Sequence, residues 1–102
     1  MGNMLRQAQQ MQQKMTRMQE ELAQKEIEAS SGGGMVVCRV SGKQEILSLK
    51  ISPEVVDPKE VEMLEDLVKA AVGEAIRKSQ ELVTAEMNKI TGGMGLNLPK
   101  MF

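Results

Sequence analysis

Residues 1–24 carry a helical pattern of apolar positions with a very different opposite face. On a helix at about 100° per residue, the apolar stripe falls within roughly 80°. It comprises Met4, Ala8, Met11, Met15, Met18 and Leu22. The opposite face comprises Arg6, Gln10, Gln13 and Arg17, with Lys14 on its flank. Since glutamine and methionine favour helices and no glycine or proline interrupts residues 3–24, the spacing predicts an amphipathic helix.

Residues 25–52 change to alternation, which is typical of strands. Ile27 and Ala29 alternate with two glutamates, and the run SSGGG (30–34) then breaks regular structure. The runs MVVCRV and EILSLKI flank a short loop, where Gly42 can supply a positive φ. We therefore expect a three-stranded antiparallel meander. One face of its third strand carries Leu47, Leu49 and Ile51.

Residues 57–91 return to helical spacing. Asp57 is the predicted N-cap and Pro58 the first helical residue, and two glycines end the run. The first half is apolar around nearly its whole circumference, so it should contact more than one surface. Gly73 indicates a bend or a close crossing. We expect a flexible tail over residues 92–102.

This element order predicts a single α+β domain over residues 1–102, with two helices and a three-stranded antiparallel sheet. One chain supplies too few helices to cover both faces of the sheet. A chain of 102 residues without Trp or Tyr also builds only a small core. We therefore expect a homodimer whose interface includes the first half of the last helix. The predicted interface residues are Leu64, Leu67, Val68 and Ala71.

The net charge of −1 conceals a segregation of charge along the chain. Residues 1–19 and 87–102 contain basic side chains and no aspartate or glutamate, whereas acids crowd residues 54–66. If the first helix and the end of the last helix project together from the sheet, they form a basic arm on an acidic body. This distribution favours an anionic partner for the arm.

No pattern in the sequence indicates catalysis. The absence of histidine removes the commonest general base and metal ligand. The glycines at 32–34 and Gly42 lack the spacing of a phosphate-binding loop. Cys38 lies among valines and is interpreted as a small buried hydrophobic residue, while the acids of residues 60–66 are typical of a solvated helix face. We predict that the protein is not an enzyme and needs no cofactor or metal.

The lone cysteine favours a cytoplasmic protein, and no apolar run is long enough to span a bilayer. The methionine stripe has two interpretations. It is either a seam packed on the last helix or a groove for varied polypeptides, as in a chaperone-like clamp. Binding of the first helix to anionic lipid is the weakest alternative because Trp and Phe anchors are missing. We therefore expect no membrane and no small-molecule partner.

Two segments resemble the YbaB/EbfC family of bacterial nucleoid-associated proteins: SGGGMVVCRVSGKQEILSLKISPEVVDP and KEVEMLEDLVKAAVGEAIRK. The similarity runs from about Met4 to Gly95. Its most specific parts are the Gln/Met-rich first helix, the glycine loop, the run MLEDL (63–67) and the ending GGMG. One departure is GEA at residues 73–75, where the family more often has Asn before an acid and Ala.

The resemblance implies a homodimer of α-β-β-β-α subunits with tweezer-like arms, formed by the first helix and the end of the last. It also implies binding to double-stranded DNA with low sequence specificity, a nucleoid location, and effects on nucleoid organisation and gene expression. The expected DNA contacts are Arg6, Gln10, Gln13, Lys14, Arg17, Arg77 and Lys89.

Overall fold

The computed structural model describes residues 2–92, and the side chains of residues 2–90. Its helices and strands are α1 (Gly2–Gln24), β1 (Glu26–Ser31), β2 (Val36–Ser41), β3 (Ile46–Ile51) and α2 (Val61–Gly92). Short 3₁₀ turns lie at Gly32–Gly34 and Pro53–Val55. This order confirms the α-β-β-β-α fold. The tail expected over residues 92–102 lies, from residue 93 onward, outside the described residues.

The sheet is an antiparallel meander in the order β1-β2-β3. Strand β1 continues through Ser31, two residues beyond the break expected from the sequence. Ser31 pairs with Val36, and its hydroxyl donates a hydrogen bond to the Leu67 carbonyl oxygen. The following glycines then make the turn with positive φ at all three positions, Gly32–Gly34. Side chains rarely adopt this conformation, which explains the glycine run.

The core lies between one face of the sheet and α2. Val36, Cys38 and Val40 point inward from β2 and are fully buried. From α2 they meet a row of small residues spaced four apart, Ala71, Ala75 and Ser79, which are also fully buried. Residues four apart share one helix face. Because their side chains are small, α2 lies close against β1 and β2.

Helix α2 begins later than the sequence indicates. Asp57 caps a turn rather than the helix, since its Oδ1 accepts a hydrogen bond from the Lys59 amide at 2.9 Å. Pro58 lies in this turn, and α2 starts at Val61. The predicted start was wrong because the Asp-Pro pair, which also begins turns, was interpreted as a helix cap.

Helix α2 then runs without interruption through Gly73. A Cβ atom built at Gly73 would have nothing within 4 Å, so no close crossing occurs there among the described residues. The bend expected at this residue stays a prediction.

Helix α1 is attached to the sheet at the β2–β3 turn. The Gly42 amide donates hydrogen bonds to the carbonyl oxygens of Leu22, at 2.9 Å, and Lys25, at 3.2 Å. A Cβ atom at this position would lie 2.8 Å from the Leu22 carbonyl carbon. Gly42 is therefore required for close approach and not, as expected, for a positive φ. In this turn Gln44 adopts the positive φ.

The tightly packed Gly42 and the exposed Gly73 allow a matched test of this attachment. Gly42→Ala should destabilise the protein by about 1–3 kcal/mol, because the added methyl group forces α1 away from the sheet. Gly73→Ala should stabilise it by about 0.5–1 kcal/mol, since alanine favours helix and meets open space. Urea unfolding followed by circular dichroism measures both. Equal effects from the two substitutions would contradict the Gly42 assignment.

The Cys38 thiol should be unreactive in the folded protein. It is fully buried, and burial raises the pKa of its thiol, which disfavours the reactive thiolate. We expect no reaction with Ellman's reagent at pH 8 until urea unfolds the chain. Cys38→Ala should cost about 1 kcal/mol of stability, a typical value for a point substitution. Rapid labelling of the native protein would reveal an opening that the structure does not contain.

Candidate nucleic-acid interface

Helix α1 is packed at its C-terminal end and exposed at its N-terminal end. Leu22 and Met18 are buried against α2 and β2, and Met15 and Met11 are half-buried. Met4 is 76% exposed. The methionine stripe is therefore a helix–helix seam over its C-terminal part, as one of the two interpretations requires. Toward its N-terminus α1 becomes an arm that the other described residues leave largely exposed.

Helix α2 forms the second part of this arm. It passes the β2–β3 turn at Ser79, whose hydroxyl donates a hydrogen bond to the Ser41 carbonyl oxygen at 2.9 Å. It then continues beside the end of α1, where Glu86 lies 3.9 Å from the Lys25 ammonium group. The described molecule is consequently elongated, measuring 68 × 24 × 16 Å.

The outer face of α1 presents unpaired cations. The predicted contact residues on this helix are all exposed: Arg6, Gln10, Gln13, Lys14 and Arg17. Among the described residues, none of the three cations takes part in an ion pair or a hydrogen bond. The first acidic residue of α1 is Glu20. Three turns separate Arg6 from Arg17, about 16 Å along the axis.

Arg77, the first of the two predicted contacts on α2, is differently placed. Its guanidinium lies between Glu74 and Glu81 and forms ion pairs with both. The Arg77 Nε donates to Glu74 Oε2 at 3.1 Å. The hydrogen bond raises the pKa of Arg77 and lowers the pKa of Glu74. A phosphate would have to compete with two carboxylates for this guanidinium. The assignment of Arg77 as a DNA contact stays a prediction.

Lys89 is also paired. Its ammonium group donates to Glu86 Oε1 at 3.2 Å, although the side chain is largely exposed. The same carboxylate is shared with Lys25. Helical spacing of three or four residues predicts such pairs, and the signal was present in the sequence for both predicted contacts of α2, Arg77 and Lys89. Of the predicted contact residues, the cations without an ion pair among the described residues are therefore all on α1.

A second surface lies between β3 and α2. It is an apolar groove lined by Ile51, Leu64, Val68 and Val72, with Glu65 and Lys69 at its rim. Among the predicted interface residues, Leu64 and Val68 line it. The third, Leu67, is only half-buried and lies against Gly32 instead. Ala71 is fully buried in the chain's own core, so it has no surface left for a partner and is withdrawn from the predicted interface.

Strand β3 extends this apolar surface. Its inward-facing side chains share a sheet face with the core but lie beyond the edge of α2, which packs on β1 and β2. The exposed apolar residues of the strand are Ile46, Leu47, Leu49 and Ile51. The alternation in the sequence identified this face, but the expected interface was placed on α2 alone. Only the packing shows that α2 leaves β3 uncovered.

No helix among the described residues is long and apolar enough to cross a membrane.

Comparison with known proteins agrees with the resemblance. The model of the YbaB/EbfC DNA-binding family matches residues 1–94. A nucleoid-associated protein of Alkaliphilus metalliredigens (strain QYMF) is 54% identical over 102 residues, which cover all of this chain and 88% of that protein. A nucleoid-associated protein of Syntrophobacter fumaroxidans is 53% identical over 103 residues, covering 98% of this chain and 94% of the relative.

Among solved structures, the crystal structure of the uncharacterized protein HP0035 from Helicobacter pylori is similar, with a TM-score of 0.67. The likeness covers 76% of this chain and 90% of that one at 19% sequence identity, which supports the fold alone. The family model and the close relatives together are decisive: the chain belongs to the YbaB/EbfC DNA-binding family.

Proposed function

We propose that this protein binds double-stranded DNA as a homodimer, through the basic outer face of α1 and with low sequence specificity. The observation that carries the proposal is the contrast between the two helices. The cations of α1 are exposed and unpaired among the described residues, whereas Arg77 and Lys89 of α2 are held by carboxylates. Only unpaired cations exchange their counterions for DNA phosphates without first breaking an ion pair.

The chemistry of the face accounts for low specificity. Arg6 and Arg17 are far enough apart to contact separate phosphates, and the glutamines between them can donate to phosphate or groove edges. Phosphate contacts carry no base information, so the affinity depends little on sequence. Binding of this kind suits nucleoid organisation with effects on expression, in the cytoplasm of a bacterium. The relatives named as nucleoid-associated proteins support that setting.

The proposed dimer uses the groove between β3 and α2. Leu49 is 41% exposed although it lies on the core face of the sheet, and Val68 lines the same groove. An edge strand with four exposed apolar side chains is a liability unless it is covered. A second copy would bury this surface and bring a second α1 arm to the same DNA.

Polypeptide clamping is the second candidate function. It is favoured by the exposure of Met4 and Leu5, at 76% and 63%, near the tip of the arm. Methionine-rich surfaces adapt to varied apolar partners. A salt titration distinguishes the two functions, because counterions compete with DNA phosphates but do not weaken apolar contacts.

Replacing Arg6 and Arg17 together by Glu should abolish DNA binding in gel shifts at moderate salt. In a dimer the two arms neutralise about four to six phosphates, which gives the parent a log–log salt slope of about −4 to −5. Both side chains are exposed, so circular dichroism and sedimentation should be unchanged. The loss should be similar on unrelated duplex sequences.

The matched control for this pair is Lys50→Glu with Lys59→Glu. It changes the net charge by the same amount at exposed lysines of the body. We expect only a small loss of affinity from it, since distant charges are screened. If the arm variant binds as tightly as the parent, or if both variants weaken binding equally, α1 is not the DNA site.

Substitutions on the two faces of β3 test the proposed dimer. Leu49→Asp should give a folded monomer in analytical ultracentrifugation, since the site is accessible in one chain but would bury an unpaired carboxylate in the dimer. Lys50→Asp, on the opposite face of the same strand, should remain dimeric. A parent protein that sediments as a folded monomer at micromolar concentration would refute the dimer. A dimeric Leu49→Asp variant would move the interface elsewhere.

A further inference from the structure

The exposed surface of α1 on the side away from α2 is wider than the basic outer face alone. At about 100° per residue, a second row of side chains lies next to that face and continues it around the helix. This flank comprises Leu5, Gln9, Gln12 and Thr16, all exposed. With Lys14 on the other side, the surface covers about 200° of the circumference. It holds no acid, because the first acidic residue of α1 is Glu20.

Four glutamines on this surface have no partner in the described part of the chain. Gln9, Gln10, Gln12 and Gln13 are exposed, and none of their side-chain amides makes a hydrogen bond among the described residues. A side-chain amide carries both donors and an acceptor. Phosphate oxygens only accept hydrogen bonds, so a phosphate contact leaves the acceptor of the amide unused. Base edges in the major groove present donors as well as acceptors, and therefore suit glutamine better.

The arm also matches the major groove in size. An α-helix with its side chains is about 10–12 Å across, and the major groove of B-DNA is about 12 Å wide and about 8.5 Å deep. Helix α2 packs on the opposite side of α1, at the seam of Met18 and Leu22. Since packed helix axes lie about 8–10 Å apart, α2 stays outside the groove when α1 is inside it. The minor groove, about 6 Å wide, is too narrow for a helix.

The spacing of the cations corresponds to the two walls of the groove. Arg6 and Arg17 are about 16 Å apart along the helix axis, which is more than the width of the groove. A helix that crosses the groove obliquely therefore brings each guanidinium to the phosphates of a different strand. Gln10 and Gln13 then lie over the base edges between the two walls.

We propose that α1 enters the major groove of duplex DNA, with Gln10 and Gln13 on base edges and Arg6 and Arg17 on opposite phosphate walls. The inference rests on the proposed function and adds the groove and the role of the glutamines. Every base pair offers at least one acceptor in the major groove, so an amide finds a partner at any sequence. Entry into the groove is thus compatible with low specificity. Leu5, which is 63% exposed, can contact the methyl group of thymine there.

A modified duplex tests the groove without a change of charge. In this duplex each cytosine carries a glucosylated 5-hydroxymethyl group, which fills the major groove, and it is compared with the unmodified duplex. The added glucose is neutral, so binding to phosphates alone would persist. Gel shifts at one salt concentration should show an affinity at least about tenfold lower for the glucosylated duplex. Netropsin, bound in the minor groove of an A·T tract of the unmodified duplex, is the control and should change the affinity less than about twofold.

The outcomes separate this inference from the proposed function. Equal affinity for the two duplexes would overturn the groove assignment and leave phosphate binding by α1 in place. A loss of affinity with netropsin but not with glucose would also overturn it and assign α1 to the minor groove. An unmodified duplex that is not bound at all would refute the proposed function and this inference with it.

Replacement of the glutamines tests the contact from the protein side. Gln10→Ala with Gln13→Ala should weaken binding to the unmodified duplex at least about fivefold, because it removes hydrogen bonds to the bases. The log–log salt slope should be unchanged, since no cation is lost. The matched control is Gln80→Ala with Asn88→Ala, which removes two exposed side-chain amides from α2 and should bind like the parent.

The change in the protein and the change in the DNA should not add. On the glucosylated duplex the glutamine variant and the parent should bind equally, because the amides no longer reach the bases, and such non-additivity indicates a direct contact. A further loss of about fivefold on that duplex would overturn the proposal, since independent effects add. A glutamine variant that binds the unmodified duplex as tightly as the parent would overturn it as well.

Discussion

The close contact between α2 and the sheet is the constraint on which the other features depend. Ala71, Ala75 and Ser79 allow the helix axis to lie near the backbone of β1 and β2, and Ser79 adds a hydrogen bond to Ser41. Larger side chains at these positions would separate the layers. Because α2 is continuous, the same contact that closes the core also directs its second half past the sheet, alongside α1. The core and the arm therefore share one rigid element.

The electrostatic character of the arm follows from which helix carries the acids. On α2, cations and carboxylates alternate at spacings of three and four, so Arg77 and Lys89 are neutralised locally. On α1 no acid occurs before Glu20, so Arg6 has no carboxylate at helical spacing. Glu20 and Glu21 follow Arg17 at three and four residues, but Arg17 forms no ion pair among the described residues. Surface pairs contribute little to stability. Their larger effect here is to decide which positive charges remain available to an external anion.

Among the described residues, the packing leaves two apolar surfaces exposed, one on β3 and one at the N-terminal end of α1. At β3 the helix layer is too narrow, since one helix covers two strands of the three. At the tip of α1 the described residues leave Met4 76% exposed. A protein of this size with a small aliphatic core gains more from covering such surfaces than a larger domain would. The proposed second copy would cover the surface at β3.

Local sequence alone determined the elements, because the helical stripe, the alternation and the glycine run are read over a few neighbouring residues. It also determined the acid-free face of α1. The start of α2 was missed because Asp57 and Pro58 suit both a cap and a turn. Sequence could not show that Gly42 is needed for contact with Leu22, or that Ala71 is fully buried while Leu49, on the core face of the sheet, stays exposed. Those are distances between residues far apart in the chain, and only the packing of helices on the sheet decides them.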